Sequence, residues 1–178
     1  MILNKPRIDI LEEFTKDYFG GLTGSSIAKR KKVNQKSVSN ALSQYEEEGF
    51  LKSKIIGKSK IYSFNLDDKR LSINFITTIE LLKTVYFYMK NPFIKEISDK
   101  IAPLVDGILL IFGSYAKRLE KDDSDLDVFV AGKVPVEKIE TISQMYKIEI
   151  NIKVYPMSMF IKHQKDPFID EIKKCHIL

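Results

Sequence analysis

The sequence predicts an α+β protein in two parts: a helical N-terminal part that ends in a β-hairpin, and a C-terminal part with a mixed β-sheet flanked by helices. Three observations predict it. Apolar residues recur at helical spacing in the first third, and a Gly-Lys pair at 57–58 then separates two strand-like runs. A buried-strand pattern at 108–112 leads through a Gly-Ser turn to a second one at 126–130. Residues 147–155 alternate between apolar and polar, as a strand with one buried face does.

The beginning of the chain predicts two helices. Residues 8–18 place apolar side chains on one helical face, and Gly20-Gly21 ends that helix. Residues 23–31 form a short second helix, for which Thr23 or Ser25 is the N-cap.

A third helix and a hairpin follow. Asn34 is a suitable N-cap for a helix over residues 35–48, and Gly49 is a suitable stop. Two strand-like runs, 51–56 and 60–64, then flank the turn and predict a hairpin.

This order of elements resembles the winged-helix domains of prokaryotic transcription regulators, in which a helix-turn-helix is followed by a hairpin wing. The resemblance covers residues 1–66 and implies DNA binding and transcription regulation. The charge distribution agrees: residues 1–66 hold 12 Lys+Arg and 7 Asp+Glu, whereas residues 67–178 hold 17 of each. A local basic excess is typical of a surface that meets a polyanion.

Candidate DNA-contacting residues lie on the third helix, just before it and on the wing. Small and amide side chains can read base edges, and the basic ones can meet phosphates. The alternative is a protein-binding winged helix whose lysines form a solvated face. The candidates are Lys29, Arg30, Lys31, Lys32, Gln35, Lys36, Ser37, Asn40, Gln44, Lys58 and Lys60.

Residues 67–105 predict a linker with connecting helices. A charged stretch at 67–70 separates two apolar patterns. Beyond it, an apolar stripe from Phe75 to Tyr86 at helical spacing predicts a helix that packs on its own domain or forms the seam of a homodimer. Asn91-Pro92 then begins another helix.

The most informative motif combines a Gly-Ser turn with two aspartates. Gly113-Ser114 follows a strand-like run and opens a short helix, so its backbone N–H groups and hydroxyl suit a phosphate. Asp125 and Asp127 stand at i and i+2 in the next strand and therefore project from one face of it. Two such carboxylates can hold divalent cations beside the phosphate.

Joined across a short loop, the two halves of this motif resemble the DNA polymerase β-like nucleotidyltransferase superfamily, above all its minimal stand-alone domains. The pattern there is Gly-Ser-x-Ala-Arg-Gly, a loop, and Ser-Asp-x-Asp before an apolar residue. Lys117 stands where this pattern has Arg, and Arg118 stands where it has Gly. The resemblance covers residues 106–178. The matching positions are Gly113, Ser114, Ala116, Ser124, Asp125 and Asp127.

The resemblance implies transfer of a nucleoside monophosphate from a nucleoside triphosphate (NTP) to a hydroxyl acceptor. It implies Mg²⁺ or Mn²⁺ as cofactor, held by Asp125 and Asp127. The implied nucleotide-binding residues are Gly113, Ser114, Lys117, Arg118 and Ser124.

A third catalytic carboxylate is expected from the strand 147–155. Glu149 is the acidic residue on its polar face, and Asn151 is the other candidate position. An amide neither acts as a base nor compensates the charge of a metal ion. With Glu149 the catalytic set is complete, whereas with Asn151 a second metal ion is held weakly.

Three functions are compatible with these features. The first is an active nucleotidyltransferase that its winged helix brings to DNA or to a protein partner. The second is a transcription regulator whose nucleotidyltransferase-like domain binds nucleotide or a partner without catalysis. The third is an antitoxin-like protein that neutralises a small helical partner protein.

Composition narrows the function classes further. Cys175 is the only cysteine, and His163 and His176 are the only histidines, so a zinc site or a Ser-His-Asp triad is not expected. No apolar run has the length that crosses a bilayer, and the N-terminus lacks the pattern of a signal peptide. The sequence therefore predicts a cytoplasmic protein without a membrane partner.

Overall fold

A computed structural model describes residues 4–121, 123–162 and 166–178. The chain forms two compact units, Met1–Lys83 and Thr84–Leu178. The architecture is α+β, with one small sheet in each unit. His163 lies outside the described residues. No helix in the described ranges is both long and apolar enough to span a membrane.

Three α-helices open the first unit: α1 (Lys5–Leu11), α2 (Gly24–Lys31) and α3 (Gln35–Glu47). The predicted caps of α2 and α3 are confirmed. The Thr23 hydroxyl accepts a hydrogen bond from the first turn of α2, and the Asn34 side chain accepts two from the first turn of α3. A Thr or Asn directly before each helix therefore acts as its N-cap, because its side chain accepts hydrogen bonds from backbone N–H groups of the first turn.

The prediction of one helix over residues 8–18 is wrong, because α1 ends at Leu11 and a separate 3₁₀ turn spans Phe14–Lys16. The Thr15 hydroxyl donates to the Glu12 carbonyl at 3.1 Å. Such side-chain bonds to nearby backbone groups compete with the helical ladder and favour a turn.

The sheet of the first unit has three antiparallel strands in the order β1-β3-β2. The predicted hairpin is present as β2 (Leu51–Ile56) and β3 (Ser59–Phe64). The short strand β1 (Leu22–Thr23) pairs with β3 at the other edge. A strand of two residues is too short to show an alternation of apolar and polar side chains, so the sequence does not predict β1.

Helix α4 (Lys69–Lys90) begins in the first unit and ends in the second. Phe75 and Ile79 are buried in the core of the first unit, so this part of the apolar stripe packs on its own unit. The predicted homodimer stays a prediction. Helix α5 (Pro92–Ile101) then begins at the expected Asn-Pro pair.

The sheet of the second unit positions the candidate site. Strand β4 (Asp106–Ile111) pairs antiparallel with β5 (Leu126–Lys133), and β5 pairs parallel with β6 (Ile150–Tyr155). The last strand starts three residues later than predicted, because Lys147 adopts a left-handed conformation that closes helix α7 (Val136–Tyr146). The C-terminus returns to this sheet, where Ile177 exchanges backbone hydrogen bonds of 2.8 and 2.9 Å with Ile111.

Helices cover both faces of this sheet. Apolar residues of α5 and α7 pack on one face, with Val128 and Val130 of β5. The other face is packed around the fully buried Phe129 by α8 (Met157–Lys162) and α9 (Pro167–Lys174). Because side chains alternate along β5, Asp127 shares the face of Phe129, and Asp125 directly precedes the first residue of the strand.

Candidate active site

Gly113 brings the turn after β4 against strand β5. It has a φ of +69° and opens the five-residue helix α6 (Gly113–Lys117). A Cβ atom at this position would overlap the carboxylate of Asp127. The Phe112 N–H donates to the Asp127 carbonyl at 3.0 Å and holds the turn to the strand. Glycine is therefore required both for the backbone conformation and for the close approach to the aspartate.

Asp125 and Asp127 form a pair of neighbouring carboxylates at the start of β5. Burial raises the pKa of the Asp127 carboxyl above its ordinary value, and the negative charge of Asp125 raises it further. A hydrogen bond from Asn151 and the charges of Lys117 and Lys153 act in the opposite direction without cancelling the rise. Two carboxylates that destabilise each other in this way provide a favourable place for a cation.

Ser114 presents an orphaned hydroxyl beside this pair. Its Oγ is buried and has no hydrogen-bond partner among the described residues. A buried hydroxyl is normally paired in a folded protein, so an unpaired one at a functional turn calls for a ligand atom. The position and the chemistry suit a phosphate oxygen.

The other predicted nucleotide-binding residues surround the turn. Lys117 is exposed, and its Nζ donates to the Glu171 carboxylate at 2.6 Å, an interaction that raises the pKa of Lys117. Arg118 is the C-cap of α6 and adopts a left-handed conformation with φ 57°. Such a position favours glycine, which explains why the family pattern has Gly there. The Ser124 hydroxyl accepts from the Lys121 N–H at 2.8 Å and so closes the loop before β5.

Of the two candidate positions for a third carboxylate, Asn151 lies beside the two aspartates. The parallel pairing of β5 and β6 places Asn151 opposite Asp127, and its side-chain amide donates a short hydrogen bond to the Asp125 carboxylate. Glu149 is exposed and lies before β6 begins, where its carbonyl accepts from the Leu126 N–H at 2.8 Å. In the described part of the chain, no group of three or more acidic, histidine or cysteine side chains could together hold a metal ion.

The residues present fit a divalent cation bound by two carboxylates. Mg²⁺ and Mn²⁺ prefer oxygen ligands, and Mg²⁺ in nucleotide sites is held by one or two carboxylates together with substrate phosphates. Asp125 and Asp127 supply these carboxylates, and their mutual repulsion is the electrostatic reason for a cation there.

Lys153 and Glu171 act on the site although sequence reasoning missed them. Lys153 stands two residues beyond Asn151 on the same face of β6, and its charge lowers the pKa of Asp127. The alternation of the strand was a signal that could have found it. Glu171 binds Lys117 from helix α9, 54 residues away, and no pattern in the sequence indicates such a pair.

The predicted DNA-contacting residues divide into two groups. The first group is exposed and makes no ion pair with any residue in the described ranges. Within it, the polar residues of α3 lie in its first two turns. This group comprises Lys29, Lys32, Gln35, Lys36, Ser37, Asn40 and Lys58.

The second group is held by acidic or polar side chains of the same unit. The Arg30 Nε lies 2.8 Å from Glu13, a carboxylate whose side chain is 2% exposed. The Lys31 Nζ lies 3.2 Å from Glu12 and 3.3 Å from the same Glu13. The remaining pairs involve Lys60 with Glu46 at 2.7 Å, and Gln44 with Arg7 at 2.5 Å and Glu48 at 2.8 Å.

A solved structure shows a weak likeness to the whole chain. It is the structure of TrmBL2, described as an archaeal chromatin protein with a novel mode of DNA binding. The likeness covers 95% of this chain and 74% of that one, with 16% identity and a TM-score of 0.26. At this TM-score the likeness supports no inference.

The comparisons with protein families concern the second unit. The model of the family described as "Nucleotidyltransferase domain" matches residues 92–177. A relative from Methanocaldococcus jannaschii, named "Putative protein adenylyltransferase", is 34% identical over 86 residues, which span 46% of this chain and 85% of that protein. Nucleotidyl transfer is thus the general chemistry associated with the region that contains the two aspartates. The chain belongs to the family of proteins with a nucleotidyltransferase domain.

Proposed function

We propose that this protein binds an NTP with Mg²⁺ or Mn²⁺ in its second unit and transfers the nucleoside monophosphate to a hydroxyl acceptor. The observation that carries the proposal is the close approach of Gly113 to Asp127. It brings a phosphate-binding turn and a pair of metal-binding carboxylates together. This combination is what attack on a phosphate requires.

Each residue has a distinct role in this proposal. Asp125 and Asp127 would hold the cation, and the chemistry it would supply when bound is neutralisation of charge on the phosphates and on the oxygens that enter and leave the phosphorus. The backbone N–H groups at Gly113 and the Ser114 hydroxyl bind the terminal phosphates. Lys117 adds positive charge near Asp127 while Glu171 holds its ammonium group in place.

The transfer itself balances as a substitution at the α-phosphorus. The acceptor oxygen forms the new bond to phosphorus, the bond to the β-phosphate oxygen breaks, and pyrophosphate leaves. The acceptor proton passes to solvent or to a nearby base. The structure of the site supplies orientation and charge, which are the main protein contributions to phosphoryl and nucleotidyl transfer.

The relative's name provides a more specific proposal for the substrates. It indicates an adenylyl group as the one transferred and a protein as the acceptor. We extend both to this chain, so the donor is ATP and the acceptor is a side-chain hydroxyl of a partner protein or of the chain itself.

For the first unit, we propose a winged-helix domain that binds DNA. Support comes from the order of α2, α3 and the β2–β3 hairpin, and from the exposed cations at both ends of this arrangement. Lys36 stands in the first turn of α3, and Lys58 in the hairpin turn. Docking of α3 into a major groove would place both near phosphates.

A second candidate function is a regulator that binds the nucleotide without transferring it. The specific observation in its favour is that an amide, Asn151, lies opposite Asp127 on the strand from which the family resemblance implies a third carboxylate. A site with two carboxylates retains ligands for a metal–nucleotide complex and lacks the third carboxylate associated with catalysis.

Mass spectrometry distinguishes these two functions. The purified chain and any protein that co-purifies with it are incubated with Mg²⁺ and each of the four NTPs. We expect an added mass of one adenosine monophosphate on a protein hydroxyl with ATP. Nucleotide binding without any added mass, across all four NTPs, would support the non-catalytic regulator instead.

A further inference from the structure

Asn151 donates hydrogen bonds to both of the carboxylates that bind metal in the proposed function. Its amide nitrogen donates to the Asp125 carboxylate, and its side chain also donates to Asp127. An ionised carboxylate accepts hydrogen bonds and donates none, so the NH₂ end of the amide must face the pair. The positive ends of two N–H dipoles are therefore directed at the carboxylates.

Among the described residues, no other acidic side chain joins Asp125 and Asp127 in a group that could hold a metal ion. Glu149 is exposed, precedes β6 and, within the described residues, forms no metal-binding group with Asp125 and Asp127. A second divalent cation at this edge of the sheet would therefore have no carboxylate ligand of its own among the described residues, because Asp125 and Asp127 bind the first.

The electrostatic surroundings also disfavour a second cation. Lys153 follows Asn151 on the same strand face, and its positive charge acts on Asp127. Lys117 adds a second positive charge from the side of helix α6. A divalent cation placed beside these groups would be repelled by them, whereas the charge of one cation is matched by the two carboxylates.

We propose that this site binds a single divalent cation, held by Asp125, Asp127 and the phosphates of the nucleotide, and that the amide at Asn151 sets this number because it supplies no third carboxylate. The proposal rests on the proposed function of the site. An acidic residue at position 151 would supply the missing ligand and convert the site to two cations.

Counting bound Mn²⁺ tests this proposal without reference to activity. The full chain is dialysed to equilibrium against Mn²⁺ and the α,β-methylene analogue of each of the four NTPs in turn. Bound metal and bound nucleotide are then measured. We expect one Mn²⁺ per bound nucleotide for the natural chain and two for Asn151→Asp.

Electron paramagnetic resonance provides an independent readout. Two metal ions in such sites lie about 3.5–4 Å apart, so paired Mn²⁺ gives a spin-coupled spectrum whereas a single ion gives an isolated one. We expect the isolated spectrum for the natural chain and for the control Asn151→Ala, and the coupled spectrum for Asn151→Asp. Asn151→Glu is the second variant if Asn151→Asp does not fold.

The outcomes separate this proposal from the function on which it rests. Two Mn²⁺ ions in the natural chain, or a single ion in folded acidic variants, would overturn the inference and leave nucleotide binding intact. No bound Mn²⁺ and no bound nucleotide in the natural chain would overturn the proposed function together with it.

Discussion

Asp127 lies directly opposite Asn151 in the parallel pairing of β5 and β6, and the Asn151 amide contributes to the charge state of this aspartate. The two residues are 24 positions apart in the chain, and the register of the parallel strand pairing brings them together. The Asn151 amide donates a hydrogen bond to the Asp127 carboxylate. The family resemblance implies a third carboxylate from the strand that contains Asn151. In the proposed function, this pair lies where the cation and the nucleotide bind.

The raised pKa of Asp127 predicts that its ionised form destabilises the metal-free protein. A folded-state pKa above the unfolded value means that this contribution to stability falls as the pH rises from about 4 upward. Asp127→Asn removes the charge, so we expect its free energy of unfolding at pH 7 to be higher by about 1 kcal/mol, the scale of a like-charge contact at a partly solvated site. Chemical denaturation in the presence of a chelator measures the difference.

The control for this prediction is the same comparison at lower pH. The advantage of Asp127→Asn should shrink as the pH falls through the raised folded-state pKa of Asp127, and it should vanish below about 4, where Asp127 is protonated in both the folded and the unfolded state. An advantage that does not change with pH would contradict an electrostatic origin.

Substitution of Gly113 by alanine should disrupt the site. The added Cβ would collide with the Asp127 carboxylate and would also strain a left-handed backbone. We expect nucleotide affinity to fall at least about tenfold, which corresponds to about 1.4 kcal/mol. Gly57→Ala is a matched control, because Gly57 has a φ of +59° with no other atom within 4 Å of a built Cβ. Equal nucleotide affinity in both variants would contradict the role of this contact.

Substitution of Arg118 separates two effects of this residue: the backbone strain of its left-handed conformation and its contribution to nucleotide binding. Arg118→Gly relieves a left-handed conformation, but glycine also makes the unfolded chain more flexible, so we expect a net gain of only about 0.5 kcal/mol in the free energy of unfolding. Lys147→Gly relieves the same strain at φ 52° outside the motif and should give a similar gain. Nucleotide affinity should fall severalfold in Arg118→Gly alone. Unchanged or tighter binding would show that Arg118 crowds the nucleotide.

The ion pairs of the first unit predict an uneven contribution of its lysines to DNA binding. Lys36 is exposed and without an ion pair to a described residue, whereas Lys60 is held by Glu46 at 2.7 Å. Lys36→Ala should weaken binding to duplex DNA severalfold and reduce the slope of log affinity against log salt by about 1. Lys60→Ala should have a smaller effect in the same fluorescence-anisotropy titration. Equal losses, or affinity that does not depend on salt, would contradict this interpretation of the surface.

The elements that sequence reasoning predicted well depend on local chemistry. The caps at Thr23 and Asn34 bind backbone groups within three residues, so a short pattern contains all the information they need. The Gly-Ser turn and the two aspartates were likewise predictable, because each half is a continuous motif.

The features that sequence reasoning left open or missed depend on contacts between distant residues. Asn151 faces Asp127 only because β6 pairs with β5 in one particular register, which the alternation of a single strand does not determine. In the same way, the ion pair between Arg30 and Glu13 depends on how α2 packs in the first unit. Counting charges along the sequence does not show that these two residues are paired.

The most direct test of the nucleotide site is calorimetric titration of Mg²⁺ with each of the four NTPs into the natural chain and into the double variant Asp125→Asn and Asp127→Asn. Circular dichroism and thermal melting first establish that the variant is folded. We expect the natural chain to bind at least one Mg²⁺–NTP complex, and the double variant to lose the part of the affinity that depends on Mg²⁺. Equal Mg²⁺-dependent affinity in the two proteins would contradict the assignment of the site.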